Sequence, residues 1–218
     1  IEKLEARAKT SDTPVSGIGS PLAAQQALTE LNFWSGRVEQ DISKGDSIEN
    51  MRIKLYTAYV AYGTTEQNDP KVANAYIKGS SAGGTGGAST GVAHWSATSI
   101  SYVMRGTGFP KYYGHSFYSS AVANGKAPGW EMYSTSRAKI VVQLGDVFVR
   151  TGGHGKRKTT LTAAHGDMVY KITSRGAHLC GGNLGAPGTF KDAGIIPLGP
   201  GNVLEKSGRY LIVLKKMR

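Results

Sequence analysis

The sequence predicts an α+β fold, with helices gathered in its first half and strands in its second. Three observations lead there. Apolar residues recur with helical spacing before residue 80. Short β-branched and aromatic runs bounded by glycine dominate after residue 137. The 30 glycines in 218 residues speak for many turns and against a helical bundle. Helical stripes and alternating strands in separate stretches are the signature of the α+β class. With 39% hydrophobic residues, the chain can bury one core, with a small helical extension beside it.

Residues 1–19 are polar and carry Thr, Ser, Pro and Gly, which reads as a flexible arm. Ser20-Pro21 places a capping residue before a proline at the first helical position. Ala24, Ala27, Leu28, Leu31 and Trp34 then share a helical face, and Ser35-Gly36 ends it. Asp46-Ser47-Ile48-Glu49 resembles a capping box. The stripe Ile48, Met51, Leu55, Tyr59, Tyr62 predicts a second helix, and Asp69-Pro70 opens a short third one through Ile77. Residues 20–78 thus form a helical layer. Residues 79–90, GSSAGGTGGAST, are a linker or a loop. The aromatic helices before it need a surface to pack on, which favours a loop inside one domain. In residues 91–218, a helix is expected near Ser96 through Met104, and another over 115–124. Strands are expected at 138–143, 146–150, 167–173, 178–180 and 209–215.

The formal net charge is +11, from 26 Lys and Arg against 15 Asp and Glu. Such a surface favours anionic partners without choosing among nucleic acid, wall polymers and lipid headgroups. A single cysteine, Cys180, excludes an intramolecular disulfide and any Cys-rich zinc site. No apolar run approaches the roughly 20 residues of a membrane span. No signal-peptide pattern opens the chain, and Ile1 without a preceding methionine makes that observation say little about location.

Three motifs carry chemistry together. His94-Trp95-Ser96-Ala97-Thr98 opens a helix. Leu144-Gly145-Asp146 leads into a strand, and after a basic loop comes Ala164-His165-Gly166-Asp167. Gly181-Gly182-Asn183 follows. A nucleophile at a helix N-terminus sits at the positive end of the dipole, near N–H groups able to hold an oxyanion. A histidine on a strand can act as base, and a polar residue on the next strand can fix its tautomer. The expected order is Ser96, His165, Asn183. Each piece alone has a blander meaning as a cap, a structural histidine or a turn. Asp167 is expected to point away from His165. Asp146 is expected to be a turn or strand-start residue, with a hydrogen bond near the site as the alternative. Cys180 is expected to be a buried thiol.

Trp95-Ser96-Ala97, Phe109-Pro110, His115-Ser116-Phe117-Tyr118 and Gly181-Gly182-Asn183 together resemble an uncharacterised bacterial and phage domain family. That family is allied to the CHAP and NlpC-type papain-like peptidoglycan hydrolases. The resemblance spans about residues 22–190. It implies a papain-like core of a nucleophile helix on an antiparallel sheet, with an N-terminal helical layer. It also implies cleavage of an amide bond in peptidoglycan, with peptidoglycan or another anionic wall polymer as partner and no cofactor. Ser96 stands where most catalytic relatives carry cysteine, so His165 would have to take its proton during attack. His94, Trp95 and His115 are candidate substrate contacts. An extracytoplasmic or virion-associated location follows from the same resemblance. So does the rival reading: an inactive papain-like domain serving as a virion or envelope component.

Two further rivals remain. His94, His115, His154 and His165 with Asp146 or Asp167 offer ligands for zinc, but without a diagnostic spacing such as His-Glu-x-x-His. The stretches Gly155-Lys156-Arg157-Lys158 and Lys215-Lys216-Met217-Arg218 suit nucleic acid less well, since no RNA-binding signature or zinc finger accompanies them.

Overall fold

The computed structural model describes residues 2–36, 96–112, 114–151, 163–184 and 189–218. The helices expected over 46–62 and 69–77, the 79–90 stretch, His94, Trp95, His154 and the basic 155–158 loop lie outside them. The described elements are α1 (Glu2–Arg7), β1 (Lys9–Val15), α2 (Pro21–Trp34), α3 (Ser96–Val103) and α4 (His115–Ala123). Strands β2 (Trp130–Ile140), β3 (Val147–Thr151), β4 (Ala163–Thr173), β5 (Gly176–Leu184) and β6 (Thr189–Ile196) follow. A small ribbon of β7 (Leu198–Gly199) and β8 (Val203–Leu204) precedes β9 (Tyr210–Lys216). Over the described residues the fold is therefore α+β, mostly sheet with few helices.

Seven strands form one sheet in the order β1-β2-β9-β3-β4-β5-β6. All its pairings are antiparallel except β1 with β2. Side chains alternate along a strand, and here both faces are covered. Val147, Val149, Met168, Cys180, Ile212 and Leu214 pack with Ala23, Ala27, Trp34 and Ile100 of the helices and with Met104 just past α3. Phe148, Val169, Leu179 and Val213 belong to a second cluster, with Tyr133, Ile140 and Tyr210. Two covered faces explain why these strands read as nearly continuous apolar runs.

Residues 2–15 do not form the expected arm. Glu2–Arg7 is helical and Lys9–Val15 is an edge strand beside β2. Its seven residues are only exposed or half-buried, so no apolar alternation marks it in the sequence. Pro14 is tolerated because an edge strand leaves some N–H groups unpaired. Helix α2 starts as expected: the Ala23 N–H donates to Ser20 Oγ at 3.3 Å. Its buried face differs, however. Glu30 is buried with Ala23, Ala27 and Trp34, while Leu28 is 44% exposed.

Candidate functional site

Ser96 and His115 are each the first residue of a helix, α3 and α4 respectively. The chain between them folds back tightly. Gly106 and Gly108 hold φ of 75° and 80°, where a side chain would be strained. The Ser101 hydroxyl donates to the Tyr112 carbonyl at 2.9 Å and accepts the Tyr112 N–H at 3.1 Å. These ties bring the two helix starts together, and Ser96 Oγ lies 2.8 Å from His115 Nε2. On the other side of the ring, His115 Nδ1 makes a short hydrogen bond with Tyr118 Oη. Residues three apart share a helix face, so the His-x-x-Tyr spacing itself sets that contact. Phe109 packs on the Tyr118 ring at 5.1 Å and on Trp130 at 5.0 Å, holding the tyrosine in place.

The sheet contributes from below. Strand β4 passes beneath the two helix starts, and Gly166 makes room there. A Cβ at that position would sit 2.1 Å from Tyr118 Oη and 2.9 Å from His115 Nδ1. His165, at the start of β4, stacks on the His115 ring with centroids 5.3 Å apart. Its Nε2 lies 3.3 Å from the Gly182 carbonyl. Its Nδ1 lies 3.2 Å from Asp167 Oδ1, yet the alignment is poor and neither atom has a hydrogen-bond partner. Gly181 is similarly constrained, since a Cβ there would sit 2.2 Å from Asp167 Oδ1. Asp167 Oδ2 accepts from the Tyr210 hydroxyl at 2.6 Å and lies 3.9 Å from Arg150 Nε.

Charge is placed unevenly. Burial drives the His115 pKa well below the usual histidine range, and the positive fields of His165 and Arg150 lower it further. Its place at a helix N-terminus acts in the same direction. Burial raises the Tyr118 pKa well above the normal phenol range, helped by the Asp167 carboxylate. At neutral pH the pair is therefore a neutral imidazole against a neutral phenol. If His115 carries its proton on Nδ1, it donates to Tyr118, and Nε2 is left to accept the Ser96 O–H.

The expected site residues meet differently from their sequence assignment. Ser96 is at the site, but the imidazole bonded to it is His115, which was expected only to contact substrate. His165 is at the site too, turned toward Asp167 and the Gly182 carbonyl. Asp167 does not point away: residues two apart on a strand share a face. Asn183 continues β5, and its side chain lies outside the described residues, as do His94 and Trp95. Tyr118, Arg150 and Tyr210 were missed. The Tyr118 signal was present in the His-x-x-Tyr spacing, while Arg150 and Tyr210 are brought to the site by strand pairing, which no local motif announces.

Asp146 lies at the opposite end of β3. Its Oδ2 accepts from Lys215 Nζ at 2.5 Å and from the Gln143 N–H at 2.9 Å. Lys215 also donates to the Val141 carbonyl at 2.8 Å and is fully buried. It is thus withdrawn from the basic tail that the sequence suggested for nucleic acid. Cys180 is buried, and burial pushes its thiol pKa well up. Among the described residues, no group of three or more His, Cys, Asp or Glu is placed to hold a metal ion. No described helix is long and apolar enough to cross a membrane. A cavity of about 310 Å³ lies between Lys9, Val122, Trp130 and Met217, at the other end of α4 from His115.

No family model, curated protein or solved structure matches the chain.

Proposed function

We propose that this chain is an amide hydrolase acting on peptidoglycan peptides, with Ser96 as nucleophile and His115 as its base. The observation that carries the reading is the 2.8 Å contact between Ser96 Oγ and His115 Nε2 at a helix start. Helix α3 also packs on β4 and β5 of an antiparallel sheet, which suits a papain-like core. The multi-motif resemblance to the CHAP and NlpC-type group supplies the substrate class, and a net charge of +11 suits an anionic wall.

In this reading Ser96 Oγ attacks the amide carbonyl carbon while His115 Nε2 takes its proton. Backbone N–H groups in the first turn of α3, which have no partners within the helix, face the developing oxyanion. His115 then passes the proton to the leaving nitrogen as the C–N bond breaks. Water hydrolyses the acyl-serine by the same steps, and His115 again carries the proton. Tyr118 receives the Nδ1–H throughout and fixes the tautomer. His115 acts as base here, and His165 flanks it. A neutral phenol stabilises the imidazolium less than a carboxylate would, so turnover is slow for a serine hydrolase.

Purified peptidoglycan incubated with the wild-type chain should gain new amino groups. Ser96→Ala should lower that rate by about 10³-fold or more, as losses of catalytic-unit members do. Equal release by both proteins, or none by either, ends the proposal for this substrate.

Burial favours a second reading. Ser96 and His115 are each 6% exposed and His165 is 8% exposed. A closed serine site in place of a cysteine one also suits an inactive virion or envelope component. That reading predicts two inert proteins in the same assay and binding to the wall unaffected by Ser96→Ala.

A further inference from the structure

Beside the serine and its imidazole lies a cation with little to hold it. Arg150, next to the end of β3, stands directly opposite His165 on β4 and Tyr210 on β9. Its nearest acidic neighbour, Asp167, stands 3.9 Å away and already accepts from Tyr210. The buried Arg150 Nε has no hydrogen-bond partner. Neither does His165 Nδ1, nor Asp167 Oδ1. His165 Nδ1 and Asp167 Oδ1 face each other at 3.2 Å, whereas Arg150 Nε has no partner at hydrogen-bond distance, and a buried polar atom left so costs about 1–3 kcal/mol relative to a satisfied group. By contrast, the fully buried Lys215 is held by both Asp146 and the Val141 carbonyl.

The Arg150 side chain keeps 21% exposure, so it is not sealed from solvent. A guanidinium offers five donors in a plane that matches a carboxylate. Arg209 adds a second positive field next to it. The His165 ring bridges the two halves of the site: it is Arg150's cross-strand partner and stacks on His115. An anion seated on Arg150 would therefore lie one imidazole away from the Ser96–His115 pair.

We propose that Arg150 is a substrate-binding residue that receives a carboxylate, so that the preferred amide carries a free carboxylate close to the scissile bond. The position of that bond rests on the hydrolase reading above; the carboxylate site itself does not. Asp167 sets the orientation of the guanidinium and is in turn held by Tyr210. The selectivity is a charge-assisted, two-pronged contact, and removing the negative charge from the ligand should abolish it.

The test separates binding from turnover by using full-length Ser96→Ala protein. The probes are N-acetyl-D-alanyl-D-alanine and its C-terminal carboxamide, titrated by calorimetry or NMR. The carboxylate form should bind about ten- to a hundredfold more tightly. Adding Arg150→Gln should erase the difference. Arg150→Lys, which keeps the charge without the fork, should retain a reduced preference and guards against misfolding of the glutamine variant. Equal binding of the two probes, binding of neither, or a preference that survives Arg150→Gln overturns the proposal. An Arg150-dependent preference in a chain that releases nothing from peptidoglycan would uphold this site and sink the hydrolase reading. Hydrolysis by the wild type without any carboxylate preference would do the reverse.

Discussion

The two ends of β3 both bury charge, and they treat it in opposite ways. At the Asp146 end, Lys215 Nζ bonds both the carboxylate and a backbone carbonyl, and the Gln143 N–H completes Asp146 Oδ2. Only Asp146 Oδ1 is left without a partner. At the Arg150 end, the guanidinium, the His165 imidazole and the Asp167 carboxylate each keep an unsatisfied buried atom. Beside them Ser96, His115 and Tyr118 form a fully joined line. A closed ion pair is what a fold uses to hold itself. Groups left half-paired next to the proposed nucleophile suit a site that keeps them for something else to satisfy. On the proposed reading, stability and chemistry are separated along a single five-residue strand.

That contrast can be broken by substitution. The largest effect on stability should come from Lys215→Met, which strands Asp146 in the core. Breaking one partner of a buried pair costs about 3–5 kcal/mol, read as a lower urea midpoint. Adding Asp146→Leu should recover much of the loss. A stability unchanged by Lys215→Met would remove the distinction between the two ends.

Gly166→Ala should come next. The new Cβ has to displace Tyr118 and His115, and overpacking of this kind costs about 1–3 kcal/mol. Its effect on Ser96 reactivity should exceed its effect on the melting temperature, because the displaced groups are those at the serine. A variant that melts earlier while Ser96 reacts normally would place Tyr118 and His115 outside the site.

Tyr118→Phe removes the partner of His115 Nδ1 and should cost about 1–3 kcal/mol. Activity should fall with kcat reduced and KM nearly constant, as expected for a residue that positions the base.

The smallest effect is a pH dependence. The His115 pKa is lower in the folded chain than in the unfolded one. Below about pH 6.5 the unfolded chain gains a proton that the folded chain refuses, so stability is lost as pH falls toward the folded value. Asp146 acts oppositely. Its pKa is raised by burial to about 6, so the folded chain binds the extra proton, and stability grows as pH falls from there toward the ordinary carboxylate value. The His115 contribution is therefore read as a difference. Between pH 7 and 5, wild type should lose more stability than His115→Asn, by at most about 1.4 kcal/mol per pH unit. Parallel curves would mean that His115 titrates normally.

Much of this fold was legible in the sequence. The start of α2 at Ser20-Pro21 follows local capping rules, α3 lies where a helix near Ser96 was expected, and the β-rich runs of β3 and β9 announced strands. β1 was hidden because an exposed parallel edge strand needs no apolar alternation, and its polar residues look like a linker. The site divides in the same way. Ser96, His165 and the His-x-x-Tyr helix were visible as local motifs. That Ser96 would meet His115 was not, because it depends on the turn built from Gly106, Gly108 and the Ser101–Tyr112 bonds. The shared face of His165 and Asp167 could have been read directly from the two-residue period of a strand.

We propose that His115 activates Ser96 while His165 only flanks the pair. Labelling by a fluorophosphonate, with the modified residue located by peptide mass spectrometry, tests it most directly. The adduct should form on Ser96 in the wild type, persist within about tenfold in His165→Asn, and drop by about 10³-fold in His115→Asn. An unlabelled Ser96 in the wild type, or labelling that requires His165 and survives loss of His115, would contradict the account.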